Sequence, residues 1–347
     1  MRTVAGALLP FLVTAGLVVL AGTVLARAGD VIAARTKLGG VWVGSVFLAV
    51  ATSLPELTTD IAAVRMGALD LAAGDLFGSS LANMLILAIL NLVPGGLELF
   101  RKAALEHALY AALAIVLTAV AAITVLVRPA ATLFGMGPGT VSIAAIYLVG
   151  SRALYRRGAL AREATEAAEM RGIALPSTGR EGHRRIEPAM SLKRAVAEFL
   201  LATVVIFLAA PRFAEAAQDL AEVTGLGSTF VGTWLVGFST SLPELVTGLA
   251  AVRLGAFDLA VGNLFGSNAF NMTVFVALDL AYPQGAILSA VSTLHAVSAL
   301  AAIVLMALGV AALVYRAQGR LALLEPSSGS IILGYVFAIW LVLRGGA

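Results

Sequence analysis

The chain has 347 residues, 60% of them hydrophobic and 12% charged, with a mean hydropathy of +0.97 and a formal net charge of +3. Soluble globular proteins have about 25% charged residues, so this composition excludes that class. The apolar residues form continuous blocks without alternation, which excludes a transmembrane β-barrel. Cysteine is absent, which excludes disulfides and thiolate metal sites. We therefore predict an α-helical membrane protein with many spans.

Ten apolar segments succeed one another, each close to the length of about 20 residues that spans a bilayer. They lie near 5–27, 39–64, 71–93, 103–127, 131–150, 195–217, 230–252, 259–281, 289–315 and 328–345. The first is too long for the apolar core of a signal peptide, so it is predicted as a span. A stretch rich in Lys and Arg, 152–194, separates five spans from five. The sequence therefore predicts a first unit at 1–151, a basic loop at 152–194 and a second unit at 195–347.

An internal repeat relates the two units by one constant shift in numbering, which places Thr52 on Thr240 and is called the repeat offset below. The segment 52–84 aligns on 240–272 without a gap and is identical at 23 of 33 positions. Because each unit has five spans, an odd number, the second must enter the membrane in the opposite orientation. We predict an all-α membrane fold of ten transmembrane helices arranged as two inverted five-helix repeats. The substrate site of such folds lies at the repeat interface near the midplane.

The distribution of positive charge predicts the orientation, since cytoplasmic loops carry an excess of Lys and Arg. With 152–194 placed inside, 18 of the 23 Lys and Arg residues lie on the cytoplasmic side. Both termini are then external. The basic loop is expected to be a solvated connector, with contact to anionic lipid headgroups as the alternative. Membrane lipid is the expected surrounding of the spans, and no feature of the sequence indicates a nucleic acid or an obligate protein partner.

The most distinctive motif is TSLPEL, at residues 52–57 and again at 240–245. Each copy places a glutamate, Glu56 or Glu244, in mid-span, where an ionised carboxylate is costly unless it faces a partner or a wet cavity. The proline removes an N–H and clashes with the carbonyl four residues earlier, so we expect an irregular backbone with freed carbonyls there, as is tolerated where a span lines a cavity. The neighbouring donors are the hydroxyls of Thr52, Ser53, Thr240 and Ser241 and the carbonyls of Ala51 and Ser239. Such a set suits Ca²⁺ or Na⁺.

A second motif follows each copy of the first, GDLFGSSLAN at 74–83 and GNLFGSNAFN at 262–271. A spacing of four residues places Ser79 with Asn83, and Ser267 with Asn271, on one helical face. Ca²⁺ takes 6–8 oxygen ligands. We therefore predict one cation site that combines Glu56, Glu244, Asn83 and Asn271 with the nearby hydroxyl and carbonyl oxygens.

The two motifs resemble the α-1 and α-2 repeats of the cation/Ca²⁺ antiporter superfamily, especially the prokaryotic Na⁺/Ca²⁺ exchangers, with α-1 at 44–93 and α-2 at 232–281. The resemblance implies Ca²⁺ export across a prokaryotic plasma membrane by alternating access, without a cofactor. It also implies that Glu56 and Glu244 coordinate Ca²⁺, flanked by Asn83 and Asn271. By the same resemblance, the Na⁺ positions are lined by Thr52, Ser53, Ser79, Thr240, Ser241 and Ser267.

The chain departs from that pattern at residues that bear on the counter-ion. Exchangers of this kind carry Asp at the position of Asn271, so the chain has two central carboxylates instead of three, as in H⁺/Ca²⁺ exchangers. Asp75 and Ser80 stand where Asn is usual, whereas the second copy keeps Asn263 and Asn268. Na⁺/Ca²⁺ exchange, H⁺/Ca²⁺ exchange and a passive cation channel are therefore all open. An enzyme is not expected, because no nucleophile–base set or nucleotide loop is present.

Two acids and two histidines lie beside these motifs. Asp60 follows Glu56 by one helical turn and is expected to be a solvated vestibule residue or a partner of Arg65. Asp75 lies about 12 Å from Asn83 along an ideal helix and is also expected in the vestibule, with Asn263 as its counterpart. His107 and His295 each begin a span, and we expect them to anchor the chain at the membrane interface.

Overall fold

The computed structural model describes residues 4–36, 38–94, 96, 99–103, 105–133, 135–170, 190–224, 240–315 and 326–345. Apart from one isolated bridge between Leu133 and Met136, the regular structure of these residues is helical. The elements in chain order are α1 (Val4–Arg35), α2 (Gly39–Trp42), a π-helix (Val43–Leu48), α3 (Ala49–Arg65), α4 (Leu69–Leu92), α5 (Leu99–Lys102), α6 (His107–Val127), α7 (Pro138–Met170), α8 (Leu192–Thr224), α9 (Leu242–Leu254), α10 (Phe257–Ala281), α11 (Ile287–Ala290), α12 (His295–Tyr315) and α13 (Pro326–Gly345).

Seven of the described helical stretches are long and apolar enough to cross a membrane. They are Gly6–Arg35, Gly39–Arg65, Leu69–Leu92, His107–Val127, Leu192–Phe213, Phe257–Ala281 and His295–Tyr315. A shorter apolar helix covers Pro326–Val342. The helical, multi-span architecture is thus confirmed. The total of ten spans and the inverted orientation stay predictions, since 225–239, in and before the seventh predicted span, lies outside the described residues.

Helix boundaries recur at the repeat offset. The starts of α5, α6 and α7 at Leu99, His107 and Pro138 correspond to those of α11, α12 and α13. The same offset relates the starts of α1 and α8, and of α4 and α10. Residues outside the strongly identical segment therefore form equivalent helices, because the pattern of apolar runs repeats even where individual residues differ.

Some helix ends differ from the sequence prediction. α7 continues to Met170, so 152–170 of the stretch expected to be a loop is helical, and 171–189 lies outside the described residues. The predicted span at 289–315 is interrupted: the short helix α11 ends at Ala290 and α12 begins at His295. α1 reaches Arg35, beyond the apolar run at 5–27, because polar residues at a membrane surface can continue a helix that hydropathy alone ends.

The first TSLPEL copy lies in an unbroken helix, contrary to the expected irregular backbone at its proline. α3 runs through Pro55, and the irregular stretch is the π-helix at Val43–Leu48, one turn before Thr52. Single π turns inside longer helices are common at functional sites. In the second copy, α9 starts at Leu242, so Pro243 occupies its first turn, where a missing N–H leaves no hydrogen bond unmade.

The π-helix packs backbone to backbone against α10. A Cβ added at Gly44 would lie 3.0 Å from backbone atoms of Asp258 and Leu259, and one at Gly266 would clash with the backbone of Ser45. Glycine at both positions permits this approach. α10 also packs on α3, α4 and α6, while α1 and α8 pack along each other. The two motif-bearing helix pairs therefore meet at the centre of the molecule.

Candidate cation site

The two predicted glutamates are both buried in the centre of the described bundle. Glu56, in α3, and Glu244, in the first turn of α9, are each 1% exposed. Ser53, which precedes Glu56 by one turn of α3, lies 3.5 Å from Glu244 Oε1, so the two glutamates come from segments in contact. Glu244 lies in the first turn of α9, where the helix dipole favours negative charge. The structure thus brings together the residues that the sequence placed at the centre of the site.

Each TSLPEL threonine contacts the other repeat at an equivalent position. The Thr52 hydroxyl donates to Asn263 Oδ1 at 3.2 Å, and the Thr240 hydroxyl donates to Asp75 Oδ1 at 3.4 Å. These two pairs are related by the repeat offset, with Asp75 in place of the asparagine. Ser267 Oγ lies 3.5 Å from the Thr52 hydroxyl. The signature threonines therefore join the repeats, and one of them does so through a carboxylate.

The hydroxyl of Ser53 joins the first repeat to the second glutamate. Ser53 Oγ donates to Glu244 Oε1 at 3.5 Å, and Thr52 also lies within hydrogen-bonding reach of that carboxylate. Both hydroxyl residues are fully buried. A carboxylate that accepts from neighbouring hydroxyls keeps an oxygen for a cation on its other side.

An asparagine layer crosses the repeat interface next to the glutamates. Asn83 Nδ2 donates to Asn268 Oδ1 at 2.8 Å, and Asn268 Nδ2 donates to the carbonyl of Ser80 at 3.4 Å. Asn271 is 1% exposed. Asn268 thus belongs to the hydrogen-bond network between the repeats. Because Asn83 bonds to it through its side-chain nitrogen, the side-chain oxygen of Asn83 remains available to a cation.

Six buried oxygens of the predicted site have no hydrogen-bond partner among the described residues. They are Oε2 of Glu56 and of Glu244, Oγ of Ser79 and of Ser241, and Oδ1 of Asn83 and of Asn271. A buried polar atom without a partner costs about 1–3 kcal/mol, so each of these oxygens calls for a partner such as a bound ligand. All six are hard oxygen donors, the ligand type that Ca²⁺ and Na⁺ select. The donor set fits a hard cation.

Two predicted contributions to the site remain predictions. Ser239 lies outside the described residues, and Ala51, 2% exposed, sits inside α3. Their carbonyls are therefore not assigned a ligand role by the geometry.

Asp60 is not solvated as expected, whereas the expected vestibular position of Asp75, which is half-buried, stays a prediction. Asp60 is 1% exposed, and its side chain lies within hydrogen-bonding reach of Asp75. Asp75 also contacts Thr240, across the repeat interface. Both acids are close enough to Glu56 for their charges to repel it. Helical rise along α4 alone does not show how close α4 comes to α3 and to the start of α9.

The repeated histidines form reciprocal pairs between the repeats, which sequence reasoning missed. His107 Nε2 lies 3.0 Å from Asp258 Oδ1, and His295 Nε2 lies 3.0 Å from Asp70 Oδ1. The repeat offset relates the two histidines to each other and the two aspartates to each other. Joint recurrence of a His and an Asp at that offset is a signal that could have indicated the pairs. The two pairs differ in exposure. The side chains of His107 and Asp258 are 0% and 17% exposed, whereas those of His295 and Asp70 are 15% and 63% exposed.

Asp279, another buried acid that the sequence analysis did not single out, has a structural role. It is 1% exposed and accepts hydrogen bonds from the backbone N–H groups of Gly137 and Ile287, each at 2.7 Å. One carboxylate thus fastens the starts of α7 and α11 to the end of α10. Its oxygens are used by the backbone and are not part of the cation site.

Comparison with solved structures shows the fold of a membrane transporter. The sodium-calcium exchanger NCX_Mj soaked with 100 mM Na⁺ and 10 mM Sr²⁺ matches with a TM-score of 0.68 and 19% identity, over 97% of this chain and 99% of that chain. The same exchanger soaked with zero Na⁺ and Ca²⁺ matches with a TM-score of 0.67 and 17% identity, over 96% and 98% of the two chains. At these identities the likeness defines the fold alone.

The chain belongs to the family described as sodium/calcium exchanger protein, whose profile matches residues 6–151 and 194–344. Inner membrane protein YrbG of Escherichia coli is 26% identical over 250 residues, 71% of this chain and 70% of YrbG. Sodium/calcium exchanger MaX1 of Methanosarcina acetivorans is 40% identical over 85 residues, so the match spans 24% of this chain and 24% of MaX1. The resemblance read from the motifs is confirmed at the level of the family, whose members are multi-pass membrane transporters.

Proposed function

We propose that the protein is a secondary antiporter that exports Ca²⁺ in exchange for Na⁺ by alternating access. The observation that carries the proposal is the buried pair Glu56 and Glu244, one from each repeat, surrounded by oxygens that have no partner among the described residues. The family and the relatives named sodium/calcium exchanger support the choice of ions. The setting proposed is the plasma membrane of a prokaryote.

The chemistry of coupling follows from the cost of closing a cavity over unneutralised carboxylates. A divalent ion between Glu56 and Glu244 cancels their charge, and so do two or more monovalent ions on the same oxygens and the neighbouring hydroxyls. Without either, closure would leave two like charges in a medium of low dielectric constant. A conformational change requires a ligand that binds the two states differently, and charge neutralisation supplies that difference.

The helices suited to move are α1 and α8. They pack along each other, and each contacts the motif helices, α1 on α9 and α8 on α3. Large apolar side chains on both are exposed, including Leu9, Leu20, Leu201 and Val204, as expected for lipid-facing helices. Sliding of α1 and α8 across the glutamates would open the cation site to each side of the membrane in turn. The hydrogen bond between Asn83 and Asn268 would stay intact.

The second candidate is H⁺/Ca²⁺ exchange, and Asn271 favours it. This residue is buried and supplies a neutral amide where an acid would add a third charge to the predicted site. In that case Glu56 and Glu244 would carry protons in place of Na⁺, and transport would be independent of Na⁺. The proton and Na⁺ mechanisms share the two glutamates and differ only in the ion that replaces Ca²⁺.

Uptake of ⁴⁵Ca²⁺ into proteoliposomes tests the proposal. We expect uptake with an outward Na⁺ gradient, and loss of more than about 100-fold in Glu56→Gln or Glu244→Gln, since removing one charge from a buried charged set costs about 3–5 kcal/mol. Glu198→Gln is the matched control, because Glu198 pairs with Arg194 on the surface of α8.

The outcomes separate the candidates. Uptake driven by an outward H⁺ gradient, with no response to Na⁺, would replace the proposal with H⁺/Ca²⁺ exchange. Uptake down a Ca²⁺ gradient without any counter-ion would indicate a channel. Unchanged uptake in both glutamate variants would overturn the assignment of the site.

A further inference from the structure

Asp60, which is buried, and Asp75, which is half-buried, form a second carboxylate pair near the two glutamates. Asp60 is 1% exposed, and its Oδ2 and that of Asp75 have no hydrogen-bond partner among the described residues. The two side chains lie within hydrogen-bonding reach of each other. Carboxylates are acceptors only when ionised, so two of them in contact require a shared cation or proton.

The second repeat shows that the fold does not need these acids. At the positions equivalent to Asp60 and Asp75 it carries Gly248 and Asn263. Asn263 accepts a hydrogen bond from Thr52 at 3.2 Å, and Asp75 accepts the equivalent bond from Thr240 at 3.4 Å. A neutral amide therefore makes the same cross-repeat contact. The two carboxylates, Asp60 and Asp75, therefore occur in the first repeat and have no acidic equivalent in the second.

The four carboxylates divide into two pairs. In the described part of the chain, no three His, Asp or Glu side chains are close enough to hold one metal ion together. A single ion held by three or four of these carboxylates is therefore not supported, which leaves Glu56 with Glu244 and Asp60 with Asp75 as the two pairs considered. Glu56 Oε2, buried and without a described partner, lies near both pairs, since its carboxylate is repelled by Glu244, Asp75 and Asp60.

We propose that Asp60, Asp75 and the Thr240 hydroxyl form a second site for a divalent hard cation, of the size and charge of Ca²⁺, beside the glutamate site. The two carboxylates and the hydroxyl supply up to five oxygens, and water completes the 6–8 that Ca²⁺ takes. One Ca²⁺ leaves a cluster of four ionised carboxylates with two negative charges, and a second Ca²⁺ neutralises it. This inference takes one thing from the proposed function, namely that Glu56 and Glu244 bind the first Ca²⁺.

Equilibrium binding of ⁴⁵Ca²⁺ to the purified full-length protein in detergent, at constant pH and without Na⁺, tests the second site. We expect two Ca²⁺ ions per chain at saturation. The double variant Asp60→Asn, Asp75→Asn is expected to bind one, and the double variant Glu56→Gln, Glu244→Gln is also expected to bind one. Asp70→Asn, at an exposed carboxylate, is the matched control and keeps both.

The single variant Asp75→Asn distinguishes the loss of a Ca²⁺ ligand from the loss of folded protein. It reproduces the asparagine that the second repeat carries at this position and retains an acceptor for Thr240. The thermal unfolding temperature is therefore expected to stay within about 2 °C of wild type, the shift that a change of less than about 1 kcal/mol gives in a chain of this size. The variant is still expected to weaken one of the two Ca²⁺ equivalents by at least about 10-fold.

Three other outcomes would overturn the inference, and a fourth would overturn only the proposed function. A wild-type stoichiometry of one, unchanged in the aspartate variant, would mean that Asp60 and Asp75 hold a proton and no cation. Loss of all binding in either double variant would mean one joint site. Retention of two equivalents in the aspartate variant would place the second ion elsewhere. If only the glutamate variant keeps full binding, the proposed function fails and the second site stands.

Discussion

At the scale of residues, the molecule is organised by contacts that occur twice with the partners exchanged between repeats. Thr52 with Asn263 corresponds to Thr240 with Asp75, and His107 with Asp258 corresponds to His295 with Asp70. Small differences within a pair of equivalent contacts therefore show where the two halves have diverged. The acid in place of an amide at Asp75 is one such difference, and burial of the histidines is another.

The histidine pairs are expected to contribute unequally to stability. His107→Ala removes a fully buried side chain and its contact with Asp258, which costs about 1–3 kcal/mol. His295→Ala is expected to cost less than about 1 kcal/mol, since Asp70 is mostly exposed and keeps its bond from the Ser292 N–H at 2.6 Å. Unfolding of both variants in the same detergent measures the difference, and equal losses would contradict this account.

At the scale of elements, the two copies of the TSLPEL motif lie in different local structures. In the first copy a π-helix precedes a continuous helix through Pro55, whereas in the second the helix begins just before Pro243. The π-helix is held against α10 by close backbone approach at Gly44, Gly262 and Gly266. This contact positions Thr52 opposite Asn263 and Ser267, so the packing of two backbones determines the geometry of the cation site.

Replacement of Gly266 tests the importance of that contact. In Gly266→Ala the added methyl group would clash with the backbone of Ser45, and overpacking of this kind costs about 1–3 kcal/mol. We expect a lower thermal unfolding temperature and weaker Ca²⁺ binding. Gly16→Ala is the control, because no described atom lies within 4 Å of a Cβ added at Gly16 in α1. A Gly266→Ala protein as stable as the control would show that the helices separate without cost.

At the scale of the whole molecule, the recurrence of helix boundaries at the repeat offset supports two equivalent halves, and the positive charges predict their orientation. If the repeats are inverted, equivalent short loops must face opposite sides of the membrane. Arg65 and Arg253 are equivalent, exposed, and at the ends of α3 and α9. They therefore offer a direct measurement of the inversion.

Single cysteines in this chain can report the sidedness of those loops, because the sequence has no cysteine of its own. We expect Arg65→Cys to react with a membrane-impermeant maleimide from outside the cell only, and Arg253→Cys from the cytoplasmic side only. Arg157→Cys, in the exposed part of α7, should label with Arg253→Cys. Labelling of Arg65→Cys and Arg253→Cys from one side would rule out inverted repeats.

The sequence by itself determined the membrane class, the repeat offset and the central residues. Long apolar runs are compatible with few structures other than spanning helices. A Pro-Glu motif that occurs twice in mid-span indicates a functional pair of carboxylates, because an ionised carboxylate at that depth is costly. Glu56 and Glu244 could thus be predicted, and both are buried in the structure. Helix ends such as that of α7 at Met170 were less predictable, since hydropathy shows where a membrane ends and not where a helix does.

Only the tertiary structure decided which side chains meet across the repeat interface. The contacts of Asp75 with Thr240 and of His107 with Asp258 join residues far apart in the chain, and the rise of a single helix contains no information about them. Asp60 was expected in water for the same reason: its distance along α3 was known, but the approach of α4 was not. The second carboxylate pair, Asp60 with Asp75, follows from how the helices pack.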